Sequence, residues 1–477
     1  MFELIAYLAP ILLVGALVLA SRLPLLHAGA CGLAATLLAA LQAPLPYWPL
    51  VLTETLKGAW LALFSAGVML AGLVFHHALQ DNTAQPEADS TPRRPHLAAF
   101  ILCFIAGPLV ESAIGFGVGF AVSIAGLLRL GFKPLPAALL SLISQMLVPW
   151  GALAIGTLIG AALAQLPLSS FGLHIAYATI PVPLLLLGWF WQRLRRAGIA
   201  ATGREYLIEL ALVLALIGLL ILGNASGAVD AAGLLATAPL LALLYWRETL
   251  AGRVPWRLVL PYGLLIALLL PTRLLPGLSD TLRPLLAWQP WPDMPALPPF
   301  YYTGTLLLLT ALATLLGRGE LRQLPDILRR SWRGGRIAVL STLIFLVMAR
   351  LYTGGGMAEA LARGWGELTG AAAPLGSPAF AALAGWLTGS NTASNSLLLP
   401  IQAALAQQTG LPLAWLAGLQ SSTASLISCL FAGKLALACA FAGIPGQERH
   451  LLRAALPYAG LMLLPGFGLA AALLLIY

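Results

Sequence analysis

One acid lies deep inside an apolar block of this sequence: Glu111, in the run Glu111-Ser112-Ala113-Ile114-Gly115-Phe116-Gly117. A carboxylate at the centre of a hydrocarbon layer costs about 2.5–3.5 kcal/mol on insertion scales, so its presence there points to function. Two roles suit it. It can bind and release a coupled proton, or it can serve as a structural acid that caps a half-helix or pairs with a base. Gly115 and Gly117 beside it allow a turn and a close approach of backbone to ligand. A second polar run, Ser390-Asn391-Thr392-Ala393-Ser394-Asn395-Ser396, interrupts another apolar block far along the chain. N–H groups freed at the start of a half-helix form an anion site. The hydroxyls and amides add further donors, so the two runs together suit a small carboxylate. The residues expected to touch it are Ser112, Gly115, Gly117, Gln145, Ser390, Asn391, Thr392, Ser394, Asn395, Gln420, Ser421, Ser422 and Lys434, with Glu111 carrying the proton.

Plainer readings stand beside these. Lys434 can neutralise the substrate or Glu111, or extend its ammonium to the membrane interface. Gln145 and Gln420 can donate to a ligand or bridge helices. Glycine-rich runs also serve as helix-packing surfaces. His174 reads as a packed histidine rather than a relay, and His76 and His77 as the inner end of a span.

Polar breaks of this kind need an apolar frame. Of the 477 residues, 60% are hydrophobic and 9% charged, against about 25% charged in soluble domains. So few charges cannot cover a soluble surface, and the apolar blocks are long enough to cross a hydrocarbon core about 30 Å thick. The chain is expected to be an all-α integral membrane protein. Disorder, a disulfide scaffold and a soluble enzyme are excluded. The net charge of +9 does not indicate nucleic acid, because the basic residues gather in short connections between apolar blocks. Arg193, Arg195, Arg196 and Arg204 share one, Arg247, Arg253 and Arg257 another, and Arg318, Arg322, Arg329, Arg330, Arg333 and Arg336 a third. Basic loops stay cytoplasmic, which puts Arg93, Arg129, Arg196 and Arg333 inside. Cys31, Cys103, Cys429 and Cys439 lie in apolar stretches without CxxC spacing and indicate neither disulfide nor metal. The first apolar stretch lacks a charged leader and a cleavage site, so it reads as a retained span.

Spans are expected at 4–20, 25–41 and 58–79, then a polar loop at 80–96. The block 97–128 is too long for one simple span and is flanked by basic residues at both ends, so it must enter and return as a hairpin. A crossing at 136–167 breaks at Pro149-Trp150-Gly151. Spans follow at 171–191, 206–222, 228–246 and 258–270. A Pro-rich external loop occupies 271–300, with Trp288 and Trp291 at the interface. After spans at 301–316 and 337–352 come a second hairpin at 378–408, a second broken crossing at 411–443 and a last span at 454–477. Corresponding elements begin at 97 and 378, at 136 and 411, and at 171 and 454, a nearly constant offset. The expected architecture is about 12 transmembrane helices plus two re-entrant helical hairpins, in an inverted-topology repeat of the secondary-transporter type. It divides into an N-terminal repeat (1–205), connecting helices (206–257) and a C-terminal repeat (258–477), with both termini periplasmic.

At these same residues the sequence resembles the bacterial lactate permease family, which includes L-lactate and glycolate permeases. The run 111–117 is similar to that family's EGAAGFG, and Leu130-Gly131-Phe132-Lys133-Pro134-Leu135 with Ala137-Ala138 is similar to LGFKPLYAA. Residues 387–396 resemble LTGSDTSSNA, and Gln402 with Ala406-Gln407-Gln408-Thr409-Gly410 resembles LQ…AQQIG. The specific similarity covers about 97–157 and 385–453, a quarter of the chain. Three departures stand out. Asn391 occupies the usual place of an Asp, residues 144–151 replace NTAPVAFG, and Ser428 stands where the family has a lysine, with Lys434 six positions later. The resemblance implies a permease for a 2-hydroxy monocarboxylate such as lactate or glycolate. The expected coupling ion is the proton, with sodium as the alternative, and no cofactor or nucleic acid is called for. The bacterial inner membrane is the expected location, and a homo-oligomer is compatible with the reading. A membrane enzyme would need a nucleophile–base or metal constellation, and neither HExxH nor GxSxG occurs. A structural subunit would not need two matched polar breaks.

Overall fold

The computed structural model describes residues 2–20, 24–41, 48–80, 94–248 and 256–477. Arg93, Arg253 and most of the expected 80–96 loop lie outside them. The described chain is helical, without strands; one antiparallel bridge pairs Trp288 with Leu297. The first helices are α1 (Phe2–Ala20), α2 (Leu25–Leu41) and α3 (Trp48–Gln80). After the gap come α4 (Pro95–Phe100), a π-helical turn over Ile101–Ala106, α5 (Gly107–Ile114) and α6 (Val118–Arg129). Ser123 Oγ donates to Leu102 O, and Gly119 packs on Gly107 and Glu111, so α4–α5 and α6 run antiparallel as a hairpin.

Next are α7 (Pro134–Ser141) and α8 (Gly151–Ala164), joined by two 3-10 turns and bent by 61°. Then follow α9 (Leu168–Thr179), α10 (Pro181–Arg196), α11 (Gly203–Ala225) and α12 (Ala232–Glu248). The segment expected as an external loop is partly helical. α13 (Trp256–Leu274) continues past Pro271 and turns by 92° into α14 (Pro276–Leu282). A proline at the first turn of a helix lacks only an N–H that would be unpaired anyway, so Pro276 starts α14 rather than preventing it.

The remaining helices are α15 (Thr303–Arg318), α16 (Leu324–Gly354), α17 (Met357–Thr369), α18 (Ser377–Thr388), α19 (Asn391–Thr409), α20 (Leu413–Ile427), α21 (Ala432–Phe441) and α22 (Glu448–Ile476). Ser377 Oγ donates to Gln402 Oε1 at 2.7 Å, closing α18 and α19 into a second hairpin. Among the described residues, seven helices are long and apolar enough to cross a membrane, or up to nine if each bent pair is one span. The expected spans at 4–20, 25–41, 228–246 and 301–316 fall on α1, α2, α12 and α15, helices of 19, 17, 17 and 16 residues, close to the length of about 20 residues that an untilted crossing needs.

Contacts fix the ends of the bundle. Arg318 Nη1 donates to Ala78 O, His77 meets Ser331, and His96 and Trp191 both meet Glu209. At the other end Asp293 accepts from Lys57, Gln165 Nε2 donates to Asp293 O, and Arg273 pairs with Asp230. α8 leads from the break to Gln165, and α19 runs beside it in the same direction, since Asn391 packs on Gly156 and Asn395 on Gly160. The first hairpin therefore opens toward the Arg129 end and the second toward the Gln165 end.

α3 starts ten residues before the expected span and carries Glu54 and Lys57. These charges are tolerated because Arg350 of α16 pairs with Glu54 at 2.6 Å and Lys57 pairs with Asp293 at 2.7 Å. Glu111 is thus not the only deep acid. Glu54, Glu209 and Asp230 are buried as well, held by Arg350, His96 and Arg273 respectively. Breaking a buried pair costs about 3–5 kcal/mol because the surviving charge loses its partner. Arg350→Ala should therefore lower the thermal unfolding temperature in detergent markedly, and Arg350→Lys should lower it less. An unchanged unfolding temperature for Arg350→Ala would mean the network contributes nothing.

Candidate functional site

Four interruptions meet in the centre of the bundle. The first is the hairpin tip, where Gly115 has φ +76° and Gly117 φ +78°. Both sit in the left-handed region that glycine enters without penalty. The tip turns the chain so that Glu111, at the end of α5, faces the start of α6. Its Oε1 accepts from Gly117 N at 3.2 Å and its Oε2 from Gly119 N at 3.0 Å. Free N–H groups at a helix start attract an anion, and here the protein's own carboxylate fills that place. The Gly117 and Gly119 amides are thus engaged by Glu111.

The second interruption lies between α7 and α8. Ala152, Leu153 and Ala154 take φ of 48°, 52° and 57°, a left-handed turn that costs about 1–2 kcal/mol per residue for side chains of L chirality. Neighbours hold it in place: Thr157 Oγ1 donates to Pro149 O at 2.6 Å, and buried Trp150 donates from Nε1 to Asn224 Oδ1 at 3.1 Å. The third is the α18–α19 tip, where Gly389 has φ +65°. Ser390 is the N-cap of α19, its Oγ accepting from Ala393 N. The fourth is the 3-10 turn Ser428–Leu430 followed by extended Phe431, between α20 and α21.

Close packing brings the four together. A Cβ on Gly115 would lie 2.9 Å from that of Ala152, and one on Gly156 would lie 2.7 Å from Asn391 Nδ2. One on Gly389 would strike Phe431, and one on Gly117 would lie 3.1 Å from Leu437. Each hairpin tip therefore rests on both broken crossings.

Two polar clusters result. In the first, Asn395 Nδ2 donates toward Gly156 O at 3.2 Å and toward Asn391 Oδ1 and Ser421 Oγ, each at 3.1 Å. Ser421 Oγ in turn donates to Asn391 Oδ1. In the second, Lys434 Nζ donates to Gln145 Oε1 at 3.3 Å and to Ser428 Oγ at 3.2 Å. The two clusters are joined along α20, where Ser425 Oγ donates to Ser421 O and Ser428 Oγ to Ser425 O.

Five of the expected site residues carry buried side-chain atoms with no hydrogen-bond partner: Ser112 Oγ, Gln145 Nε2, Asn391 Nδ2, Asn395 Oδ1, and both Gln420 Nε2 and Oε1. Several expected residues, Ser112 among them, also contact the frame. Ser112 packs on Gly233 of α12, Ser422 meets Thr179 of α9 at 3.1 Å, and Ser394 donates to Asn391 O. Thr392 is buried in the first turn of α19, its carbonyl accepting from Ser396. His174 is packed against Trp415 and bonded to Ser170 O.

Sequence reasoning missed the carbonyl of Gly156, because a backbone acceptor leaves no mark in residue type. It also read Ser428 only as a lost lysine. Lys434 extends its ammonium back to Ser428, nearly two helical turns away in sequence, so a cation stands beside that position after all.

The model of the L-lactate permease family matches residues 3–230 and 294–476. The match extends beyond 97–157 and 385–453 into the middle spans and leaves out residues 231–293, which hold α12 to α14 and part of the Pro-rich segment. No curated protein matches the chain. With both halves matched, the chain belongs to the L-lactate permease family, a family of membrane transporters and not of enzymes.

Proposed function

We propose that the protein is a proton-coupled secondary transporter of a small 2-hydroxy monocarboxylate such as lactate or glycolate. The observation that carries this reading is the set of unpaired buried atoms. Leaving one such atom unsatisfied costs about 1–3 kcal/mol, so the site is built for something to fill it. Asn391 Nδ2, Gln420 Nε2 and Gln145 Nε2 are donors, as a carboxylate requires. Asn395 Oδ1 and Gln420 Oε1 are acceptors, as a hydroxyl beside that carboxylate requires. Lys434 supplies the compensating charge, and the neutral Asn391 adds no repulsion.

Coupling falls to Glu111. A protonated carboxyl gives up acceptor capacity toward Gly117 and Gly119, which loosens the first tip from its own acid. Proton binding and tip movement then share one residue. Two hairpins opening to opposite ends support an inverted repeat of 1–205 and 258–477 around the site. The gathering of Arg129, Arg196, Arg318 and Arg333 toward one end supports a cytoplasmic face there, with both termini on the periplasmic side of the inner membrane.

The test is uptake of labelled lactate, glycolate, pyruvate and a sulfonated analogue into proteoliposomes. A proton gradient, acid outside, should drive accumulation of the 2-hydroxy acids, and a protonophore should abolish it. Accumulation that follows sodium and ignores the proton gradient would overturn the coupling, and failure to take up any of the panel would overturn the substrate class.

A further inference from the structure

We propose that a basic pocket between α10 and α11, away from the transport site, holds the phosphate headgroup of an anionic phospholipid. The pocket measures about 760 Å³ and is lined by Gly188, Trp191, Gln192, Arg195, Arg196 and Tyr206. It lies where the 29-residue apolar stretch Leu168–Arg196 ends and the apolar helix Gly203–Ala225 begins. A basic helix end that follows such an apolar stretch suits the headgroup layer.

Arginines in the last turn of a helix also suit the helix dipole, which by itself would account for a solvated basic end. Three observations go further. First, the nearby acids are already engaged. Glu205 forms the capping box with Thr202, and Glu209 is held by His96 at 2.8 Å and Trp191 at 2.6 Å. Among the described residues neither Arg195 nor Arg196 has a carboxylate within ion-pair distance.

Second, the pocket has a built floor and a notch. The rings of Trp191 and Tyr206 meet edge to face with centroids 4.9 Å apart, and the bond to Glu209 fixes the indole. A Cβ at Gly188 would meet nothing within 4 Å, so this glycine leaves an open groove on the helix surface. Third, the groove continues along apolar surface. Leu184, Gly188, Trp191 and Arg195 fall on one face of α10, where Leu184 is exposed, and Leu207, next to Tyr206 on α11, is exposed as well. An acyl chain can lie along that stripe while the guanidinium forks take the phosphate oxygens bidentately.

The test uses purified full-length protein with phosphatidylglycerol or phosphatidylcholine at equal dose, bound lipid being read by native mass spectrometry. Phosphatidylglycerol should be retained in preference to phosphatidylcholine. The combined change Arg195→Gln and Arg196→Gln should weaken retention about 25-fold, about fivefold for each charge. Gly188→Leu, which keeps both charges but fills the groove, should also release the lipid. Inorganic phosphate at millimolar concentration should not displace it. Equal retention of the two lipids, or phosphatidylglycerol binding unaffected by the arginine changes, would overturn the proposal. So would unaffected binding in Gly188→Leu, which would leave only diffuse surface charge. Displacement by phosphate alone would make this a free-anion site and overturn it as well.

Discussion

Glu111→Gln is expected to abolish substrate accumulation driven by a proton gradient while substrate exchange remains measurable. Glutamine keeps the size of the side chain and one acceptor oxygen, so the cap on Gly117 N or Gly119 N can survive in part. It cannot bind and release a proton. The amide nitrogen also turns a donor toward a backbone N–H, and one buried unpaired group costs about 1–3 kcal/mol, or one to two decades in an equilibrium. Some loss of exchange rate is therefore expected, and a complete loss of pH-driven accumulation. The comparison of exchange with accumulation separates the proton role from the capping role. If Glu111→Gln still concentrates substrate with full pH dependence, Glu111 is only the cap of α6.

The second large effect is expected at the other hairpin. Asn391→Ala removes the unpaired Nδ2 offered to the substrate and the acceptor that Asn395 and Ser421 share. Substrate affinity should fall by about one to two decades per lost partner, and the pH profile of transport should stay in place because no titrating group changes. Ser390→Ala is the control. Its hydroxyl caps α19 through Ala393 N, so its loss should cost about 1 kcal/mol of helix stability and leave affinity nearly unchanged. Equal affinity in wild type and Asn391→Ala, measured on folded protein, would remove this hairpin from the substrate site.

The frame of the site was legible in the sequence because a bilayer tolerates so few patterns. A polar run inside an apolar block must be buried in protein or face a cavity, and that alone singled out 111–117, 390–396 and 420–425. Pairing across long separations was not legible. Glu54 and Arg350 are 296 residues apart, and nothing local marks either as the other's partner. The expected third span therefore started after Glu54 and Lys57, ten residues late. Residue type also hides backbone state. Ala152, Leu153 and Ala154 read as ordinary helix formers, yet tertiary contacts hold all three in a left-handed turn. At Ser390 residue type fits two roles, an N-cap of α19 and a ligand contact, and the structure shows the cap bond from Ala393 N.

The central claim is that the unpaired buried amides of Asn391 and Gln420 bind the substrate. Equilibrium binding of labelled L-lactate to the purified protein, in wild type and in the double change Asn391→Ala with Gln420→Ala, tests this most directly. The wild type should bind one lactate per chain, and the double variant should bind at least about a hundredfold more weakly while unfolding at a similar temperature. Undiminished lactate binding in a folded double variant would contradict the account and place the substrate elsewhere in the bundle.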